Sequence, residues 1–187
     1  MKPFFLFEEP VPEPLCDLII NMGLAANVEQ AGVHVDNKTQ QVADVRNNSI
    51  AWLNDKSISE LLGEYVKHAN ADGGWNFHLN SFEVPQFSIY DVSQYYDWHV
   101  DMGVEQPTDT AFRKLSISIN LNETYIGGDF QVEEWGKPET DRVVTLAPMR
   151  RTGAVCVFPS FINHRVTPVT AGTRYSLVGW FRGDMFK

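Results

Sequence analysis

The amino-acid sequence predicts a mainly β domain, a sandwich or jelly roll with two supporting helices near its N-terminus. Three observations carry that expectation. From Trp75 onward the hydrophobic period is two, turn residues cut that region into nine short segments, and a helical period appears only before residue 75. Many short strands at this spacing build antiparallel sandwiches rather than parallel βαβ sheets.

The first helix opens at Pro14, where Leu15, Leu18, Ile19 and Met22 fall at i, i+3, i+4 and i+7. Asn27 and Gly32 mark its exit into a polar stretch reaching about Asn48. That stretch has no clear period and reads as a loop or irregular hairpin. The second helix begins at Ser57, whose S-x-x-E spacing to Glu60 has the form of a capping box. Ile58, Leu61, Leu62, Tyr65 and Val66 supply its apolar face, and Gly73 and Gly74 end it. Strands are expected at 75–79, 84–92, 95–101, 114–121, 128–134, 142–147, 153–159, 163–168 and 173–181. One of them is amphipathic in an informative way. In the run from Leu115 to Leu121 the apolar residues share one face, and Ser116, Ser118 and Asn120 share the other. Either the polar face meets water, or the apolar face carries the two helices while the polar face lines a cavity.

Length and composition narrow the class. The 187 residues, 43% hydrophobic, suit one domain spanning 1–187 that can bury a core without disulfides. The longest apolar runs are only a few residues, which excludes a membrane-spanning helix. The run Phe4–Phe7 stops at Glu8 and Glu9, too soon for a signal peptide. Cys16 and Cys156 lie far apart with no CxxC, as expected of buried free thiols in a reducing cytoplasm. Fifteen basic residues stand against 24 acidic ones, a formal charge of −9 with no basic stripe, which argues against a nucleic-acid partner.

The chemistry-bearing residues lie in three places. In Asp97-Trp98-His99-Val100-Asp101, His99 and Asp101 project from one face of an extended strand. His164 opens a late strand after Phe158-Pro159-Ser160, and Arg174, Ser176, Val178 and Trp180 share a face of the last one. An H-x-D pair alone arises readily by chance; the full set, in order and on strands, does not. Two imidazoles and one carboxylate on one face of a metal, with open positions opposite, is the arrangement of non-haem Fe(II) oxygenases. Such a site keeps positive charge and attracts an anionic co-substrate. Arg174 then offers a planar fork for a carboxylate, and Ser176 a further donor.

From Phe87 to Gly183 the chain resembles the Fe(II)/2-oxoglutarate-dependent dioxygenases, specifically the prolyl 4-hydroxylase-like group that includes PKHD-type hydroxylases. The resemblance is carried by Tyr90-x-x-Ser93-x-x-Tyr96-x-x-His99-x-Asp101, by Leu121-Asn122 with Gly127-Gly128-Asp129-Phe130, and by Pro159 through Trp180. Pro14-Leu15-Cys16 and Arg46-Asn47-Asn48-Ser49-Ile50 extend it more loosely towards the N-terminus. It implies a double-stranded β-helix, or jelly roll, with the N-terminal helices packed on the outer sheet face. It also implies that His99, Asp101 and His164 bind Fe(II), and that Arg174 and Ser176 hold the distal carboxylate of 2-oxoglutarate. Tyr90 would touch the co-substrate near the metal, and Trp180 would lie beside the substrate. Arg113 either contacts substrate too or caps its strand. Two departures stand out: Asn120 replaces a tyrosine of some prolyl hydroxylases, and the chain ends at Lys187 without the C-terminal extension of PKHD-type members.

The expected activity is hydroxylation of an unactivated C–H bond, on a prolyl or other peptidyl residue, using O2 and releasing succinate and CO2. Ascorbate would serve as an external reductant. Two alternatives stand beside it. One is the same chemistry on a free amino acid or small molecule. The other is a non-catalytic lectin or cupin-like binding module, although cupins favour H-x-H and lectins need no inward arginine. Residues 102–112 and 31–49 are the candidate lids. His34 and His68 read as surface or structural, and His78 as core or rim. Asp97 is a partner or rival of the ligands, and Trp52, Trp98 and Trp135 read as packing aromatics.

Overall fold

The computed structural model describes residues 2–35, 38–40, 45–102 and 111–184. In chain order it contains β1 (Phe5–Leu6), α1 (Glu13–Ala25), β2 (Glu29–Gln30), β3 (Val33–Val35), β4 (Lys38–Gln40), β5 (Ser49–Trp52), α2 (Lys56–Asp72), β6 (Ser81–Phe82) and β7 (Gln86–Tyr90). Then follow β8 (Tyr96–His99), β9 (Ala111–Asn120), β10 (Ile126–Gly127), β11 (Phe130–Glu133), β12 (Val143–Thr145), β13 (Val155–Pro159), β14 (His164–Val166), β15 (Val169–Ala171) and β16 (Arg174–Asp184). Among the described residues, no helix is long and apolar enough to cross a membrane.

The strands form a two-sheet jelly roll. The larger sheet runs β1-β13-β9-β16-β7-β5-β2, with β6 added alongside β16; the smaller runs β12-β11-β14-β8. β10 pairs with β15 and β3 with β4 as separate ribbons, and the pairings are antiparallel. At the centre of the larger sheet, β9 resolves the two readings of its polar face. Leu115, Ile117 and Ile119 pack outward into one core with Ile19 of α1 and Ile58, Leu62 and Val66 of α2. Burying a side chain of this size contributes about 1.5–3 kcal/mol. Ser116, Ser118 and Asn120 are also buried, on the opposite face, where the two sheets enclose a second core around Phe130, Phe158 and Val166. The polar stripe is an interior wall.

Both helices differ from expectation in detail. On α1 the residues pressed to the sheet are Cys16, Ile19 and Gly23, while Leu18 is 54% exposed. The helix is turned because Phe87 needs room: a Cβ on Gly23 would lie 2.3 Å from its ring. On α2 the cap is Asp55, whose carboxylate accepts from the Ile58 N–H at 3.1 Å, so Ser57 falls inside the first turn instead of before it. Gly73 and Gly74 end the helix as expected, Gly74 with φ +75°.

The expected strand at 75–79 does not form. Asn76 takes φ 51°, and the Asn70 side-chain amide donates to the Phe77 carbonyl while its oxygen accepts from the Phe77 N–H. These two bonds replace a ladder partner, and the strand appears later, as β6. Conversely, the polar stretch before Asn48 holds the β3–β4 hairpin and leads into β5, too short a strand to show a period. The central parts of both candidate lids, 36–37, 41–44 and 103–110, lie outside the described residues.

Candidate metal centre

β8 and β14 pair with His99 directly opposite His164, which brings two histidines 65 positions apart onto one face of the smaller sheet. Just past β8 the chain bends, and Asp101 N and Met102 N both donate to Ser160 O at 2.9 Å. That clamp turns the Asp101 carboxylate back toward the histidines. Its Oδ1 is 3.7 Å from His99 Nε2 and its Oδ2 is 3.6 Å from His164 Nε2. The three ligand atoms lie within 4.8 Å of one another, close enough for one metal ion.

The protonation pattern suits a cation. His99 Nδ1 is 2.7 Å from Asp97 O and His164 Nδ1 is 3.0 Å from Ile162 O. A carbonyl can only accept, so Nδ1 is the donor in each ring and Nε2 is the atom turned to the Asp101 carboxylate. Burial, with His164 alongside, drives the His99 pKa down to about 3 and keeps the ring neutral. Burial disfavours the Asp101 carboxylate, but His164, His99, Arg113 and the Ser116 hydroxyl outweigh it and bring the pKa down to about 2. Ser116 Oγ donates to Asp101 Oδ2 at 2.7 Å and shares a 2.9 Å bond with Ser160 Oγ. Two imidazoles and one carboxylate are donors suited to a divalent first-row metal.

The larger sheet supplies the facing wall. Arg174 of β16 is buried and donates through Nη1 to Ser176 Oγ at 3.1 Å, whereas its Nε and Nη2 have no partner among the described residues. A buried guanidinium with open donors calls for an anion. Tyr90, opposite Arg174 in the β7–β16 ladder, places its ring 5.3 Å from the guanidinium. A Cβ on Gly128 would press on the Arg174 Cδ at 3.1 Å, so this glycine gives the side chain its path. Tyr90, Arg174, Ser176, Trp180 and the His99–Asp101–His164 cluster line one narrow cavity of about 40 Å³. The donor set fits a metal, and the open guanidinium fits a carboxylate placed across from it.

The remaining candidates separate. Arg113 forms a bidentate pair with Glu83, at 2.7 and 2.5 Å, and lies 4.1 Å over the Trp180 ring. It also donates to Asp101 O at 3.4 Å, which sets it beside the site with its charge already paired. The buried Trp180 indole N–H has no acceptor among the described residues. Asp97 contributes its carbonyl rather than its carboxylate, which sits 3.7 Å from Arg165. Asn120 is engaged elsewhere: it donates to Asn122 O at 2.6 Å and accepts from the Tyr125 hydroxyl at 3.0 Å. His78 is neither core nor rim of the cavity but is 78% exposed, 3.5 Å from Asp184. The sequence placed Ser116 on a polar stripe that could line a cavity, and assigned no role to Ser160, Arg46 or Gln86. The strand parity of Gln86 with Ser88 and Tyr90 was the signal that could have flagged Gln86.

Comparison with known proteins agrees with this geometry. The 2OG-Fe(II) oxygenase superfamily matches residues 85–182. A PKHD-type hydroxylase of Hyphomonas neptunium is 31% identical over 144 residues, covering 74% of this chain and 61% of that protein. Another from Crocosphaera subtropica is 34% identical over 108 residues, 55% of this chain and 43% of that protein. The chain therefore spans about two fifths to three fifths of these relatives. Among solved structures, a prolyl-4-hydroxylase of Pseudomonas putida superposes with a TM-score of 0.73 at 21% identity, covering 97% of this chain and 93% of that one, a likeness of fold. With the match covering just over half the sequence and containing the His99–Asp101–His164 cluster and Arg174, the chain belongs to the 2OG-Fe(II) oxygenase superfamily.

Proposed function

We propose that this chain is an Fe(II)- and 2-oxoglutarate-dependent dioxygenase that hydroxylates an unactivated C–H bond of a prolyl or other peptidyl residue in the cytoplasm. One observation carries the reading: the open guanidinium of Arg174 and the His99–Asp101–His164 cluster line the same buried cavity. The kinship with PKHD-type hydroxylases and the prolyl-4-hydroxylase fold support a peptidyl target. The cavity's narrowness favours, as a second reading, a free amino acid or other small molecule.

His99, Asp101 and His164 would hold the iron. When bound, iron and 2-oxoglutarate supply the oxidising power, with succinate and CO2 released. The protein's own residues do the rest. Arg174 would take the distal carboxylate in a forked pair, with Ser176 donating to the same oxygens and Tyr90 covering the metal side. Ser116, donating to Asp101 Oδ2, would keep that carboxylate oriented as a ligand. Phe130, Phe158 and Val166 keep water from the reacting centre. Trp180 and Arg113 would border the substrate, and ascorbate would restore iron that has oxidised.

Anaerobic addition of Fe(II) and 2-oxoglutarate should give a weak visible charge-transfer band. His164→Ala should abolish both the band and succinate formation. A folded, iron-loaded wild-type protein without the band would end this reading. Peptide and amino-acid pools screened for the gain of one oxygen would then separate the two substrate classes.

A further inference from the structure

Each candidate metal-binding imidazole leans on aromatic neighbours. His164 stands edge-on to Phe158, centroids 4.6 Å apart, with Phe130 at 5.7 Å. Among the described residues, apart from His164 itself at 4.1 Å, the ring that His99 packs on is Tyr96, parallel within 9° and 3.4 Å away. Behind Tyr96 lies a third layer, the guanidinium of Arg46, 4.5 Å from the ring centroid. Arg46 is only 8% exposed, and neutral oxygens fix it: Nε donates to Asn48 Oδ1 at 2.7 Å and Nη1 to Gly32 O at 3.5 Å.

The backbone makes this stack a joint between the sheets. Residues 45–48 lie along β8, where Asp97 N donates to Val45 O at 2.8 Å, Asn47 N to Tyr95 O at 3.3 Å, and Arg46 bridges to Tyr96. The same stretch continues into β5 of the larger sheet, so it ties the edge of the smaller sheet to its neighbour. A histidine ring turns easily about its outer torsion, and the single bond from Nδ1 to Asp97 O leaves that turning partly free. A flat ring at van der Waals distance removes it, and a buried cation behind that ring prevents it from swinging away.

We propose that Arg46 is a positioning residue for the metal ligand His99: by clamping Tyr96, it fixes the imidazole plane so that Nε2 faces Asp101 before the metal arrives. The proposal rests on the reading that His99, Asp101 and His164 hold a divalent metal.

Co(II) is the probe, since it takes the same nitrogen and oxygen donors and reports their arrangement in its visible absorption. The apoprotein and four variants are titrated with Co(II) alone, with urea midpoints to confirm folding. Tyr96→Phe, which keeps the ring, should bind as the wild type does and show the same band. Tyr96→Leu and Arg46→Gln should bind about 10-fold more weakly with an altered band, the scale usual for groups that orient a ligand. Arg46→Lys, which keeps charge but loses the fork, should fall between. Wild-type affinity and band in Arg46→Gln would overturn the proposal, as would equal losses in Tyr96→Phe and Tyr96→Leu. Should Arg46→Gln fail to fold, the two Tyr96 variants decide. A wild-type protein that binds no Co(II) defeats the metal reading itself, whereas unaltered variants defeat only the role of Arg46.

Discussion

At the scale of single residues, the cavity is defined by what its polar groups lack. Arg174 has donors with no acceptor among the described residues, so its worth lies in a ligand rather than in folding. Arg174→Ala should raise the apparent KM for 2-oxoglutarate at least about 10-fold, the loss of a charged bidentate contact, with a smaller change in kcat. An unchanged KM would remove Arg174 from that role. The neighbouring histidine carries a pH signature. Because His99 titrates near 3 in the folded metal-free protein against 6.5 for the free side chain, the unfolded chain takes up the proton first. Stability should therefore fall as pH drops below 6.5 towards 3, by at most about 1.4 kcal/mol per pH unit from this group. Asp101 acts in the same direction but lower, between 3.8 and about 2. Urea midpoints of the chelated protein between pH 7 and 5 should decline more steeply for wild type than for His99→Asn. Parallel slopes would contradict the assignment.

At the scale of elements, close approach decides which face each helix buries. Gly23 lets α1 settle onto Phe87, and Gly179 of β16 meets α2 where a Cβ would lie 2.8 Å from Leu62 Cδ1. Gly23→Ala removes flexibility that a helix interior does not need, which by itself would stabilise α1 by about 0.5–1 kcal/mol. Overlap with the Phe87 ring should exceed that gain, giving a net loss of about 1–3 kcal/mol in urea unfolding. A gain in stability would mean that α1 can shift outward at no cost. Periodicity found both helices, yet it cannot see a clash avoided across the sheet. That is why Leu18 counted as core and Gly23 did not. The cap of α2 shows the same limit. Asp55 and Ser57 are both competent caps, and the choice depends on where the chain leaves β5, with Asp55 N bonded to Leu53 O at 2.9 Å.

At the scale of the whole molecule, two cores lie on either side of the larger sheet, and each contains one cysteine. Burial pushes the Cys16 thiol up to about 11, with Asp17 and Glu13 adding to it, and burial alone pushes Cys156 higher still. Neither should react with iodoacetamide in the native protein at pH 8, and both should react once urea opens the cores. Rapid labelling of either thiol in the folded protein would show that its core is open. The two-sheet arrangement also explains the division of labour at the site. The smaller sheet and the bend after it bring the histidines and Asp101, and the larger brings Arg174, Ser176, Tyr90 and Trp180.

The sequence by itself determined the strand-rich class, the two helices, and the ordered set of His99, Asp101, His164 and Arg174, because period and spacing are local properties of the chain. It also held the alternation of Leu115 to Leu121, though not which face would be inside. Tertiary structure decided the rest. Only β-register sets His164 opposite His99, and only the crossing of residues 45–48 between sheets brings Arg46 behind Tyr96. Only packing pairs Arg113 with Glu83 and draws Asn120 to Tyr125 instead of the cavity. Each of these contacts joins residues whose neighbourhood exists only after the sheets close, and no local pattern in the chain encodes it.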